Sequence, residues 1–112
     1  MLIRPTHAAL IALVLVAGAV NALAAETVAV DISKLAYLPP EITLHIGDTV
    51  QWTNHDFVAH TATTKSDATG EAWDLMILPG KTVEWKAKAV GSVQYYCKFH
   101  PNMRGTITVL AN

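Results

Sequence analysis

The chain has 112 residues, of which 52% are hydrophobic, and its eight basic and nine acidic side chains give a formal net charge of −1. No basic cluster of the kind that binds nucleic acid is present, so we expect no nucleic-acid partner. Cys97 is the single cysteine of the sequence, which excludes an internal disulfide.

The N-terminal segment has the features of a secretory signal peptide. Arg4 precedes an unbroken apolar run, 8–20, and Ala22-Leu23-Ala24 matches the pattern of small residues at a signal-peptidase site. We predict that residues 1–24 are a signal peptide and that residues 25–112 form one periplasmic domain without stable membrane association. An uncleaved membrane anchor is the alternative, but the run is shorter than the roughly 20 apolar residues that a span requires.

The rest of the chain consists of short runs in which apolar and polar residues alternate, as in half-buried strands. Turn signals separate most of these runs, including Gly47-Asp48 and Pro79-Gly80. Polar residues at 65–71 indicate a surface loop. The predicted strands are 27–32, 41–46, 49–53, 58–63, 82–86, 92–97 and 106–110. About seven short strands at this spacing are typical of an all-β sandwich or barrel.

A thiol, an imidazole and a thioether lie three residues apart between the last two predicted strands, at Cys97, His100 and Met103. A loop of this length can wrap a single ion while the strands hold it in place. These soft or borderline donors favour copper, and blue-copper sites combine two His and one Cys with a weak axial Met. Zinc sites use Cys, His and carboxylate ligands, so the Met argues against zinc.

A copper site of this kind needs a second histidine from elsewhere in the chain. By strand alternation His45 lies on a polar face, where we expect it to be solvated. His55 falls in the polar corner that follows a predicted strand, and it remains the rival candidate. We favour His60, because a residue at the end of a strand can face inward.

Each residue taken alone has an ordinary structural explanation. A buried free cysteine usually serves packing, and a lone methionine usually fills the core. A β-sandwich binding module without metal is therefore an alternative. It leaves unexplained why an exported chain carries one unpaired thiol beside His100 and Met103.

Residues 25–112 resemble the cupredoxins, small blue-copper proteins with a Greek-key β-sandwich. The resemblance lies in the block 47–54, in Asp56 and His60, and in the segment 96–107. The short Cys-x-x-His-x-x-Met loop looks like that of the amicyanins, whereas plastocyanins have a longer His-to-Met spacing. The fold class that the resemblance implies is an all-β Greek-key sandwich of about seven to eight strands.

The resemblance makes His60, Cys97 and His100 the equatorial ligands of one copper ion and Met103 its long axial ligand. It implies a mobile one-electron carrier, a monomer that meets redox donor and acceptor proteins transiently. Four protein ligands leave no open position for a substrate, so we expect no enzymatic activity. The alternative is a periplasmic copper-binding or delivery protein. Several cupredoxins have Asn after the first His, whereas this chain has Thr61, whose hydroxyl we expect to brace the site similarly.

Overall fold

The computed structural model describes residues 24–66 and 70–112, so all of the predicted signal peptide except Ala24 lies outside the described residues. Within those ranges the chain forms nine strands and no helix. The strands are β1 (Thr27–Ser33), β2 (Ala36–Leu38), β3 (Glu41–His45), β4 (Thr49–Asn54), β5 (His60–Thr64), β6 (Asp74–Ile77), β7 (Thr82–Lys86), β8 (Gly91–Tyr96) and β9 (Arg104–Leu110).

The strands form two mixed sheets that pack as a sandwich. One sheet has the order β2-β1-β4-β7, and the other has the order β3-β9-β8-β5-β6. The pairs β1–β4 and β3–β9 are parallel, and the remaining pairs are antiparallel. The predicted all-β sandwich is confirmed, with nine strands among the described residues instead of seven or eight.

Alternation along the strands supplies the core from both sheets. In β4 the side chains of Val50, Trp52 and Asn54 are buried, and the residues between them are partly exposed. Since successive side chains of a strand point to opposite faces, this pattern turns one face of each sheet inward. The largest fully buried side chains include Trp52, Tyr37 and Tyr95.

One predicted strand begins later than expected. The sequence predicted strand 58–63, but β5 starts at His60. Phe57 is fully exposed and Val58 is 46% exposed, so the apolar segment before His60 does not enter the core. Hydrogen-bonded pairing with the neighbouring strand begins only at His60.

Strand pairing brings the two halves of the metal motif together. In the antiparallel pair β5–β8, Thr63 lies opposite Tyr96. In the pair β8–β9, Tyr96 lies opposite Arg104, so the loop 97–103 closes a hairpin. The beginning of β5, where His60 lies, is therefore at the same end of the sheet as this loop.

Across the described ranges, we find no helix that is long and apolar enough to cross a membrane.

Candidate metal centre

The loop between β8 and β9 is closed by its own backbone. The Cys97 N–H donates to the Met103 carbonyl at 3.2 Å, and the Met103 N–H donates to the His100 carbonyl at 2.8 Å. Arg104 Nε donates to the carbonyl of Pro101 at 3.4 Å. These bonds fix a turn around the three potential ligands, with Met103 only 3% exposed at its end.

Three donor atoms converge at this end of the sandwich. Cys97 Sγ lies 3.6 Å from His60 Nδ1 and 3.9 Å from His100 Nδ1. The donor atoms of all three residues lie within 4.8 Å of one another. His60 and Cys97 are fully buried, whereas His100 is partly exposed. A single ion could therefore contact all three residues, with the buried His60 and Cys97 separating it from solvent on the side of the core.

The other histidines of the described ranges lie apart from this cluster. His55 Nε2 is 3.0 Å from Asp31 Oδ1, and both side chains are more than half exposed. The side chain of His45 is 44% exposed, with Nδ1 3.9 Å from Asp48 Oδ2. Of the two histidines that the sequence left in competition, His60 is the one that joins Cys97 and His100.

Thr61 connects the cysteine to its surroundings. Its backbone N–H donates to Cys97 Sγ at 3.3 Å, and its Oγ1 accepts the Lys98 N–H at 2.9 Å. Thr61 is fully buried, and its carbonyl accepts a hydrogen bond from the Tyr37 hydroxyl. Burial raises the pKa of Tyr37, and the nearby Cys97 and Tyr95 add to this effect, so Tyr37 remains a neutral donor.

The histidine at the start of β5 is held from behind by a carboxylate. His60 Nε2 lies 2.8 Å from Asp56 Oδ2, which leaves Nδ1 as the nitrogen that faces the cysteine. The sequence pattern gives Asp56 no role beyond its place in the resemblance to the cupredoxins. A carboxylate four residues before a candidate ligand was the available signal, because metal-binding histidines usually donate their second ring N–H to such a group.

A salt bridge pairs Lys98, a cation of the loop, with a carboxylate of β6. Lys98 Nζ lies 2.5 Å from Asp74 Oδ2, and both side chains are about half exposed. The hydrogen bond from Lys98 holds the pKa of Asp74 below its usual value, and the same contact raises the pKa of Lys98. As an exposed pair, it contributes little to stability.

The donor set fits a copper ion. One cysteine sulfur and two imidazoles match the equatorial ligands of a blue-copper centre, and the thioether of Met103 lies buried in the same loop. The Thr61 N–H donates to Cys97 Sγ, a contact that would hold the sulfur in place as a ligand.

Comparison with known proteins agrees with this chemistry. Residues 6–109 match the Cupredoxin-like domain family. The chain is 34% identical to an amicyanin of Paracoccus versutus over 76% of its own length and 66% of that protein. It is 33% identical to an amicyanin-alpha of Methylorubrum extorquens, covering 85% and 84% of the two chains, and to a plastocyanin of Scenedesmus fuscus, covering 70% and 91%.

Solved structures show the same relation in three dimensions. The Cu(I) form of an amicyanin mutant superposes with a TM-score of 0.70 at 30% identity, covering 75% of this chain and 82% of that one. A reduced form of another amicyanin mutant matches with the same TM-score and coverage. The resemblance in the sequence is thus confirmed by family, relatives and fold, as is copper as the cofactor. The chain belongs to the cupredoxin family, whose members bind one copper ion, and its His60, Cys97 and His100 form a potential copper site.

Proposed function

We propose that this chain is a small exported type 1 copper protein that acts as a mobile one-electron carrier. In this proposal His60, Cys97 and His100 would hold the copper ion through their sulfur and imidazole nitrogens, and the thioether of Met103 would be its weak fourth ligand. The observation that carries it is the convergence of three donor atoms within 4.8 Å of one another at one end of the sandwich.

The protein's contribution is to hold this donor set still. His60 is anchored by Asp56, Cys97 by the Thr61 N–H, and the loop by its internal backbone bonds. Bound copper would supply the one-electron change between Cu(II) and Cu(I). A site whose ligands barely move between the two states suits such a carrier, because the two ions prefer different geometries and the protein holds a compromise.

The surroundings of the ligands also favour electron transfer over catalysis. With four protein ligands, no position is left for a substrate, so the proposal includes no enzymatic activity. The burial of His60 and Cys97 excludes water from the protein side of the site. His100 is partly exposed and its neighbour Phe99 is 53% exposed, which supports the His100 edge as the route for the electron to donor and acceptor proteins.

The location of this activity follows from the predicted signal peptide. We propose that residues 1–24 are removed on export, that the domain 25–112 works in the periplasm as a monomer, and that it contacts its redox partners only transiently. After removal of Arg4 the chain has seven basic and nine acidic side chains, a net charge of about −2. That value is too small to direct association by itself.

The experiment that tests the carrier against the delivery protein measures two rates on the same copper-loaded sample. We expect electron self-exchange, followed by line broadening in NMR spectra of mixed oxidised and reduced protein, to be fast. Transfer of Cu(I) to a chelating acceptor is expected to be slow. Slow self-exchange together with rapid loss of copper would contradict the proposal and favour the delivery protein.

A further inference from the structure

The carboxylate of Asp56 is bound by three donors at once. The Lys34 N–H donates to Oδ1 at 2.8 Å, and the Leu35 N–H donates to Oδ2 at 3.0 Å. His60 Nε2 lies 2.8 Å from Oδ2. Asp56 therefore links the turn between β1 and β2 to a histidine of the metal site.

The turn that presents the two backbone donors has an uncommon conformation. Lys34 and Leu35 have φ angles of 51° and 58°, in the left-handed region that residues with a Cβ rarely adopt. Two successive N–H groups of such a turn point toward the same side and form a concavity that binds anions. Asp56 fills this concavity, which gives the unfavourable backbone conformation a stabilising contact.

The segment that carries Asp56 is fixed at both ends. The Asp56 N–H donates to Asn54 Oδ1 at 2.9 Å. Asn54 is fully buried and donates through Nδ2 to the carbonyls of Val58 and Ile77.

The backbone of the same segment is also held, because the His55 N–H donates to the Ile32 carbonyl at 2.8 Å. The segment between β4 and His60 therefore contacts both sheets, although the side chain of Phe57 within it is fully exposed.

The three donors determine where the imidazole carries its proton. Both oxygens of the Asp56 carboxyl group already accept a backbone N–H, Oδ1 from Lys34 and Oδ2 from Leu35. Because these oxygens act as acceptors, the hydrogen bond between Oδ2 and His60 is donated by Nε2. Nδ1 is then the ring nitrogen left to offer a lone pair, and it faces Cys97 Sγ at 3.6 Å.

We propose that Asp56, held by the Lys34–Leu35 turn, is a positioning residue that fixes the tautomer and orientation of His60 and lowers the reduction potential of the site. The potential part of this inference rests on the proposed copper function. A carboxylate behind a ligand imidazole makes that imidazole more basic, which favours the more highly charged Cu(II).

Asp31 offers a matched control for the loss of charge. Its Oδ1 lies 3.0 Å from His55 Nε2, so it is also an aspartate paired with a histidine, but this pair is exposed and lies apart from the metal cluster. Asp56→Asn and Asp31→Asn each remove one negative charge. Asp56→Ala and Asp31→Ala each remove every acceptor of the side chain.

The first measurement is made on the copper-free protein, by long-range ¹H–¹⁵N NMR of the histidine rings. We expect His60 of the wild type and of Asp31→Ala to be the single tautomer protonated at Nε2. Asp56→Ala is expected to show a mixture of tautomers with broadened signals. If Asp56→Ala keeps the wild-type tautomer without broadening, the positioning role is wrong. Should this variant fail to fold, the same comparison is made with Asp56→Asn, which keeps one acceptor oxygen for three donors.

The second measurement is made on copper-loaded protein. We expect Asp56→Asn to bind Cu(II) about 10- to 100-fold more weakly than the wild type, the usual effect of losing an outer partner of a ligand histidine. Its reduction potential is expected to rise above those of the wild type and Asp31→Asn. If the reduction potential shifts equally in the two Asn variants, Asp56 acts only as a nearby charge, and the inference about the reduction potential is wrong. Absence of a blue site in the wild type would refute the proposed function, while the copper-free NMR comparison would still decide the positioning role.

Discussion

Thr61 braces the candidate metal site with both its backbone and its side chain. Its N–H contacts Cys97 Sγ, its hydroxyl accepts the Lys98 N–H, and the same hydroxyl lies 2.9 Å from Thr63 Oγ1. The expectation that the hydroxyl takes over the bracing role of the Asn found in several cupredoxins agrees with these contacts. Thr61 thereby ties β5 to the residue that follows Cys97.

Replacing this hydroxyl should expose its role. Thr61→Val keeps the shape of the side chain but leaves the Lys98 N–H without its acceptor, so we expect a loss of about 1 to 3 kcal/mol in the free energy of unfolding. Hydrogen exchange of the Lys98 amide, measured on copper-free protein, checks the cause. Protection is expected to persist in Thr61→Ser, which keeps the hydroxyl, and to fall in Thr61→Val. Equal protection in both variants would show that the hydroxyl does not hold the loop.

The sequence allowed the motif residues and the bracing role of Thr61 to be predicted, but not the contact between Asp56 and the turn that holds it. The spacing of Cys97, His100 and Met103 is local, so it could be read directly, and alternation favoured His60 over His55. Asp56 and the Lys34–Leu35 turn are far apart in the sequence, and neither turn residue is a glycine. Their contact depends on how β1, β2 and β4 are packed, which no local pattern reveals.

At the scale of strands, the two that the sequence did not predict are short and lie at the ends of their sheets. β2 has three residues and β6 has four, which is too short for alternation to be recognised. The turn before β2 uses Lys34 and Leu35 in a left-handed conformation, so the usual glycine signal is missing. The longer strands were predicted with small errors at their ends, because most of them show a clear period of two. β5 is the exception, since its first three residues are all buried.

Gly105 in β9 is required by the aromatic ring opposite it. Tyr95 and Gly105 are partners in the β8–β9 pair, and a Cβ at Gly105 would lie 2.3 Å from the Cζ atom of Tyr95. The Tyr95 ring cannot easily move away, because it is buried and its hydroxyl accepts a hydrogen bond from Trp52 Nε1 at 3.2 Å. It also packs edge-on against Tyr37, with 4.7 Å between the ring centroids. Burial also raises the pKa of Tyr95 to about 12, so the ring remains neutral in this contact.

We therefore expect Gly105→Ala to lower the free energy of unfolding by about 1 to 3 kcal/mol, as overpacking of a core does. Chemical denaturation of the copper-free protein measures this cost. The same substitution made in a Tyr95→Leu background should cost clearly less, because the smaller side chain leaves room for the added methyl. A cost that is independent of residue 95 would contradict the contact as the cause.

In the molecule as a whole, the pairing of the strands brings residues that are distant in sequence to one end of the sandwich. His60 begins β5, while Cys97 and His100 lie in the loop after β8, and the antiparallel pairing of these strands brings them together. The all-β class was predictable because strands and turns alternate along most of the chain. The pairing order of the sheets was not predictable from the residues alone, because the parallel pairs β1–β4 and β3–β9 join strands that are distant in sequence.

We propose that His60, Cys97 and His100 bind one copper ion through a copper–thiolate bond. The most direct test is the visible absorption spectrum of the purified domain 25–112 with one equivalent of Cu(II), compared with a Cys97→Ser variant. We predict an intense blue charge-transfer band that is absent from the Cys97→Ser variant. A pale or colourless complex in the wild-type protein would contradict a type 1 copper site and, with it, electron transfer through blue copper.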